Sequence, residues 1–221
     1  MGRVDTQDAY TGAPVLGEPL PVELMNTVWA DRDGVHDALR TPAGVLAWLR
    51  AVGPRLASHA PEVAAWLDTD RPAGLEEAAA RLRELRDALR RLAAEATGDP
   101  RPAADSPVGD RDAALAVLNR ACGAAPVWSV LRWPAGQDPA RVVHTDDPAG
   151  RAVVAMLAGQ AVDLFVGEAR PRLRSCLAPG CVLYFVRSHP RREWCSGACG
   201  NRARVARHYR RHRAADADSP A

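Results

Sequence analysis

The chain has 221 residues, 47% of them hydrophobic and 25% charged, with a formal net charge of +2. That length and apolar share predict a globular protein with one main domain and a small appendage, and they exclude a chain without a core. There is no lysine, so every basic residue is arginine, and six of the eleven aromatic residues are tryptophan.

Residues 1–16 are rich in Gly, Pro and polar side chains and read as a flexible tail. The opening MGRVDTQDAY carries acids and has no apolar h-region, so no secretory signal is expected. Leu20 to Trp29 predicts a short helix in which Asn26 and Trp29 could line a pocket, with helix packing the favoured role. Thr41-Pro42 predicts a helix start, with Thr as N-cap and Pro at N1, and that helix should stop before Gly53-Pro54. Pro61 opens another short helix that buries Val63 and Trp66-Leu67. The longest helix is expected from about Ala73 to Ala96. Its stripe is Leu75, Leu82, Leu85, Leu89 and Leu92, with Glu and Arg on the other face. Gly98 to Gly109 reads as a loop and Asp112 to Ala121 as a helix.

The pattern changes at Pro126. Val127 to Trp133 and Ala140 to His144 predict two strands joined by the turn PAGQDP. Asp147-Pro148 then starts an apolar helix to about Glu168. Its most apolar run, Ala152 to Gly167, is interrupted by Gln160 and Asp163 and is too short to span a bilayer, so no membrane partner is expected. The reading is a cytoplasmic protein with reduced cysteines. Cys122 stands apart from the other four cysteines and reads as a structural thiol.

The chemistry gathers at Cys176 to Arg202, CLAPGCVLYFVRSHPRREWCSGACGNR. Four cysteines spaced C-x4-C-x13-C-x3-C form two tight pairs separated by a loop, which is how a closed tetrahedral zinc site is supplied. Pro179-Gly180 turns the chain between Cys176 and Cys181, and Cys195 and Cys199 fall on one face of a helix's first turn. Four thiolates leave no position for water, so one structural Zn2+ is expected and no catalytic metal.

Charge is divided along the chain. Residues 1–169 hold 17 Arg against 24 acids (net −7), and residues 170–221 hold 12 Arg against 3 acids (net +9). That asymmetry points to a polyanionic partner for the basic end. On the helix expected after Cys199, Cys195, Cys199, Ala203, Ala206 and Tyr209 should face the zinc and the hairpin. Arg204, Arg207, His208, Arg210 and Arg211 offer cationic contacts to nucleic acid. Arg191 and Arg192, placed in the hairpin loop, would add phosphate contacts. Arg202 lies near the thiolates, where it would offset their charge.

Cys199-Gly200-Asn201-Arg202, preceded by Trp194-Cys195 and the upstream cysteine pair, resembles the CGNR zinc-finger proteins of bacteria. Leu24-Met25-Asn26-Thr27, Thr41-Pro42 with Ala47-Trp48-Leu49, Leu118-Asn119 and Arg172-Leu173-Arg174 resemble the ABATE domain that precedes that finger. The resemblance implies a transcription regulator whose four cysteines bind zinc, whose finger binds DNA, and whose ABATE part is regulatory. Two departures stand out. The loop reads Arg187-Ser188-His189-Pro190-Arg191-Arg192-Glu193-Trp194 where many members have D-x-S-x-x-x-R-R-W, and the last pair is C-x3-C rather than C-x4-C.

The expected fold is α+β, mainly α. A helical N-terminal domain with a small β-hairpin (17–168) is followed by a zinc finger of hairpin-plus-helix type (169–213) and a flexible tail (214–221). The expected function is a DNA-binding transcriptional regulator. Its N-terminal domain would take a small-molecule effector or form a homodimer, the oligomeric state being left open. The rivals are an RNA-binding or protein-interaction zinc module, including a redox-sensitive zinc-thiolate switch, and a zinc-supported nuclease using His189, Asn201 and His208. The nuclease lacks a carboxylate to complete its ligand set.

Overall fold

The computed structural model describes residues 12–57, 60–101 and 106–217, excluding the side chains of residue 57 and of residues 211–217. The chain is α+β and mainly helical, with three separate two-stranded antiparallel sheets among the described residues. Of the expected tails, residues 1–11 and 218–221 lie outside the described residues. Within the rest, Ala13 is buried and the Leu16 amide donates to the Glu23 carboxylate, so this part of the N-terminal segment is packed.

Helix α1 (Leu20–Met25) is short and wholly buried. The expected helix through Trp29 ends there. Thr27 Oγ1 donates to the Leu24 carbonyl at 2.7 Å, and the chain turns into strands β1 (Val28–Asp31) and β2 (Gly34–Asp37). Asp31 Oδ1 closes this hairpin by accepting from the Asp33 amide and pairing with His36 Nε2, both at 2.8 Å, while His36 stacks on Trp29.

Helix α2 (Pro42–Ala57) starts as expected, with Thr41 Oγ1 accepting from the Gly44 amide at 3.1 Å. It does not stop before Gly53-Pro54. A proline inside a helix removes one hydrogen bond, but Val52 and Leu56, both fully buried, hold the last turn in helical register against the core. Helix α3 (Pro61–Leu67) buries Val63 and Leu67.

Helix α4 (Leu75–Thr97) is the longest, and its stripe Leu82, Leu85, Leu89 and Leu92 is buried. The expectation that its arginines all face outward fails for two. Arg86 and Arg90 are 5% and 2% exposed. Arg86 is paid for by Asp37 and by Asp87 at 2.9 Å, and Arg90 donates to the carbonyls of Met25 and Val182. The helix ends in a Schellman closure: Gly98 takes φ 58°, its amide donates to Glu95, and the Asp99 amide donates to Ala94. That closure delivers Asp99 and Arg101 to the metal centre.

Helix α5 (Arg111–Cys122) is capped by Asp110, whose carboxylate accepts from the Ala113 amide at 2.8 Å. Strands β3 (Trp128–Arg132) and β4 (Ala140–His144) form the expected hairpin, and α6 (Ala149–Val166) follows. By length and composition α6 is apolar enough to cross a membrane, contrary to the expectation from its interruptions. In this fold it is the central core helix, with Ala152–Ala158 buried among α1, α3, α4 and α5. A 3-10 turn at Arg170–Arg172 leads into β5 (Leu173–Ser175), which pairs with β6 (Tyr184–Val186). Helix α7 (Gly197–Ala217) then runs to the end of the described chain.

Candidate metal centre and basic helix

Two cysteines sit in the loop of the β5–β6 hairpin. The ladder continues one step past β5, where the Cys176 amide donates to the Leu183 carbonyl at 2.9 Å. Between the cysteines Ala178-Pro179-Gly180-Cys181 makes a tight turn, with the Cys181 amide donating back to Ala178 at 2.9 Å and Gly180 at φ 72°. Proline then glycine at the two central positions is what a type II turn requires. The other two cysteines bracket the start of α7. Cys195 lies two residues before the helix rather than in its first turn, and Cys199 lies inside it.

The four sulfurs all lie within 4.8 Å of one another, and all four residues are at most 5% exposed. Cys181 and Cys195 Sγ are 3.8 Å apart and Cys195 and Cys199 Sγ 3.4 Å. A tetrahedron with Zn–S of about 2.3 Å has edges of about 3.8 Å. A disulfide needs about 2.05 Å, so these spacings suit one metal and no disulfide. Among the described residues, no other group of three or more His, Cys, Asp or Glu side chains is close enough to hold a metal.

Electrostatics give the same answer. Contacts with the other three thiols, and then with Arg202, hold the Cys199 thiol far below the usual range. Contacts with Cys181 and Cys195 bring Cys176 down to about 7. The same crowding, led by Cys176, pushes Cys181 and Cys195 up. Four buried sulfurs can ionise together only around a dication. Arg202 donates to Cys199 Sγ at 3.0 Å and the Cys195 amide to Cys176 Sγ at 3.5 Å, so two sulfurs receive hydrogen bonds from outside the cluster. The N-terminus of α7 adds a favourable dipole. The centre is a closed four-sulfur site for one structural zinc.

Gly200 packs beneath Trp194, where a Cβ would lie 3.2 Å from Trp194 Cδ1. Asn201 Oδ1 accepts from Arg204, steadying that exposed arginine on the helix.

The body grips this centre through residues whose part in it was not read from the sequence. Arg101 Nη1 donates to the carbonyls of Cys176, Cys181 and Leu183 at 3.0, 3.0 and 3.1 Å. Asp99 holds Arg101 at 2.5 Å and accepts from Tyr184 OH at 2.8 Å. Burial works against both charges, yet their mutual bonds leave Asp99 below and Arg101 above its ordinary pKa. Asn26, expected to serve helix packing, is fully buried. Its amide donates to the Tyr184 carbonyl at 2.9 Å and its oxygen accepts from the Tyr184 amide at 2.8 Å. Glu18 accepts from the Val186 amide at 2.9 Å. Trp29 packs with Leu16 and Trp194 against the cysteine cluster.

The basic residues divide into two groups. Arg191, Arg204, Arg207, His208 and Arg210 are exposed. Arg192 faces inward: it donates to Glu18 at 2.5 Å and to the carbonyls of Val186 and Cys195, and it lies over the Phe185 ring. Both Arg191 and Arg192 follow β6 rather than occupying the hairpin loop. Arg202 is committed to Cys199. The side chain of Arg211 is outside the described residues. Ala203 is buried beside the cluster and Ala206 is half-buried, but Tyr209 is 66% exposed, so the helix leaves the body before that turn. Cys122 is half-buried against the main core, away from the metal centre.

Two family models match the chain. One, ABATE, described as "Putative stress-induced transcription regulator", covers residues 18–168. The other, the CGNR zinc finger, covers residues 172–212 and contains all four clustered cysteines. Neither is a family of enzymes. No curated protein matches the chain significantly. The ABATE match spans more than half of the sequence and stops just before the finger that holds the sulfur cluster, so the chain belongs to the ABATE family and carries a CGNR zinc finger at its C-terminal end.

Proposed function

We propose that this protein is a DNA-binding transcription regulator in which Cys176, Cys181, Cys195 and Cys199 hold zinc, zinc fixes the root of α7, and α7 binds DNA. It performs no catalysis in this reading. The supporting observation is the exposed run Arg204, Arg207, His208 and Arg210 on a helix that leaves the body after its metal-anchored root. Arginine's planar fork suits both phosphate and guanine. Arg191, exposed in the middle of the loop between β6 and α7, adds a phosphate contact. Residues 17–168 are the regulatory unit and 169–213 the reader. A signal taken by the first reaches the second through Glu18, Asn26 and the Asp99–Arg101 pair.

The test is quantitative DNA binding across salt concentrations. Arg207→Ala and Arg210→Ala should each weaken binding and lower the slope of log affinity against log salt by about 1. Arg192→Ala should lower stability and leave that slope as it was. Unchanged affinity and slope in the Arg207→Ala, Arg210→Ala double variant would remove α7 from the interface. Tighter binding to RNA than to DNA of the same charge would replace the partner while keeping the surface.

A further inference from the structure

The β3–β4 hairpin carries apolar side chains that the body does not cover. Trp128, Val130, Leu131 and Trp133 are 45%, 39%, 68% and 67% exposed. Strand β3 also has one edge unpaired, because β4 is its only neighbour in a two-stranded sheet. An apolar edge strand of this kind promotes uncontrolled association unless a specific partner covers it.

The register sorts these side chains into faces. Ser129 lies opposite Val143 and Leu131 opposite Arg141. Ser129 and Leu131 therefore share a face, and the same alternation carried past the strand puts Trp133 there too. At the foot of that face, between the hairpin and helices α1 and α6, runs a groove of about 600 Å³. Buried Leu20, Met156 and Leu164 line its floor, and exposed Arg141 and Asp163 lie on its rim, where Arg55 is held by Glu23 and the Glu18 carbonyl. At the other end the hairpin tip carries Asp138, exposed and in no ion pair among the described residues. One face thus presents apolar knobs, an apolar recess, an acid at the tip and the exposed Arg141 beside the groove.

We infer that this face is a homodimer interface in which the two hairpins clasp each other. Leu131 and Trp133 of one subunit enter the groove of the second copy, and Asp138 meets that copy's Arg141. A two-fold axis satisfies both halves at once, because knob and recess lie on one surface of one chain. It also closes the assembly at two, leaving neither a free groove nor an exposed edge. Each strand of five residues spans about 17 Å, enough to carry the tip well clear of its own body. The two zinc fingers of the dimer would then act as a pair.

Light scattering and sedimentation of the full zinc-loaded chain over micromolar concentrations test this. The wild type should run at twice 23.7 kDa. Leu131→Asp and Trp133→Asp should each run at the single-chain mass, with zinc content and helical signal unchanged. Asp138→Arg should raise the dimer dissociation constant at least tenfold, and the double variant D138R/R141D should recover it. If the apolar variants lose zinc or helicity, Asp138→Arg on the exposed loop decides the matter alone. A wild type that stays monomeric throughout, or a dimer that these substitutions leave intact, overturns the inference.

Discussion

A handful of buried polar side chains join the finger to the body, and their value can be argued residue by residue. Asn26 satisfies both backbone groups of Tyr184, a residue in the middle of the junction. Asn26→Ala strands a buried donor and a buried acceptor, each costing about 1–3 kcal/mol. Urea denaturation should therefore show a loss of about 2–4 kcal/mol. Arg101→Ala should cost about 3–5 kcal/mol, because it leaves Asp99 buried without its partner and takes their donor from the carbonyls of Cys176 and Cys181. Parity of Arg101→Ala with a surface substitution would mean that the Arg101 contacts are not formed in solution. Gly98→Ala should cost about 1–2 kcal/mol, since a side chain at φ 58° pays the left-handed penalty. The sequence singled out Asn26 but gave none of these residues a place at the junction. Glu18, Asn26 and Arg101 are polar residues in unremarkable surroundings, and only the fold brings them to Cys176–Val186. The four cysteines were legible because metal-ligand spacing is a local property. Arg192 shows the limit of that logic: beside Arg191 it reads as one more surface charge, yet its guanidinium is turned inward onto Glu18 and Phe185.

Elements were read with uneven success, for physical reasons. Helices α4, α5 and α6 carry long periodic patterns, and caps or glycines mark their ends. The β3–β4 hairpin showed through because its strands are rich in β-branched and aromatic residues. The β1–β2 hairpin was missed. Its strands are four residues long, none of its side chains is buried, and its charged residues hide the alternation, although Asp33-Gly34 is a turn signal. The end of α2 was misplaced because local propensity gave way to burial of Val52 and Leu56. For α7 the basic pattern was clear, but how far it stays on the body was not, since that depends on where Ala203 and Ala206 meet their neighbours. Its root depends on metal. Chelation at neutral pH should remove the order of β5, β6 and the first turns of α7 while leaving the α4–α6 core helical. Circular dichroism should show a partial loss of helix, restored by one equivalent of zinc. No change on complete zinc removal would mean that the body alone holds the finger.

At the scale of the whole molecule, a helical body with an acidic balance carries a basic helix on a zinc-fixed root, and the two parts share a hydrogen-bonded seam. The seam makes the finger part of the fold rather than a loosely tethered appendage, and this is what would let a change in the body reach the finger. The central claim is that zinc-anchored α7 binds DNA through phosphate contacts. The most direct test is affinity for random double-stranded DNA across a range of salt, with the zinc content of the same sample assayed. The account predicts one zinc per chain, a slope of log affinity against log salt of about −4 or steeper for five or more contacts, and loss of binding on chelation. One zinc per chain with no measurable DNA binding at low salt would contradict it, and would leave the finger as a structural module.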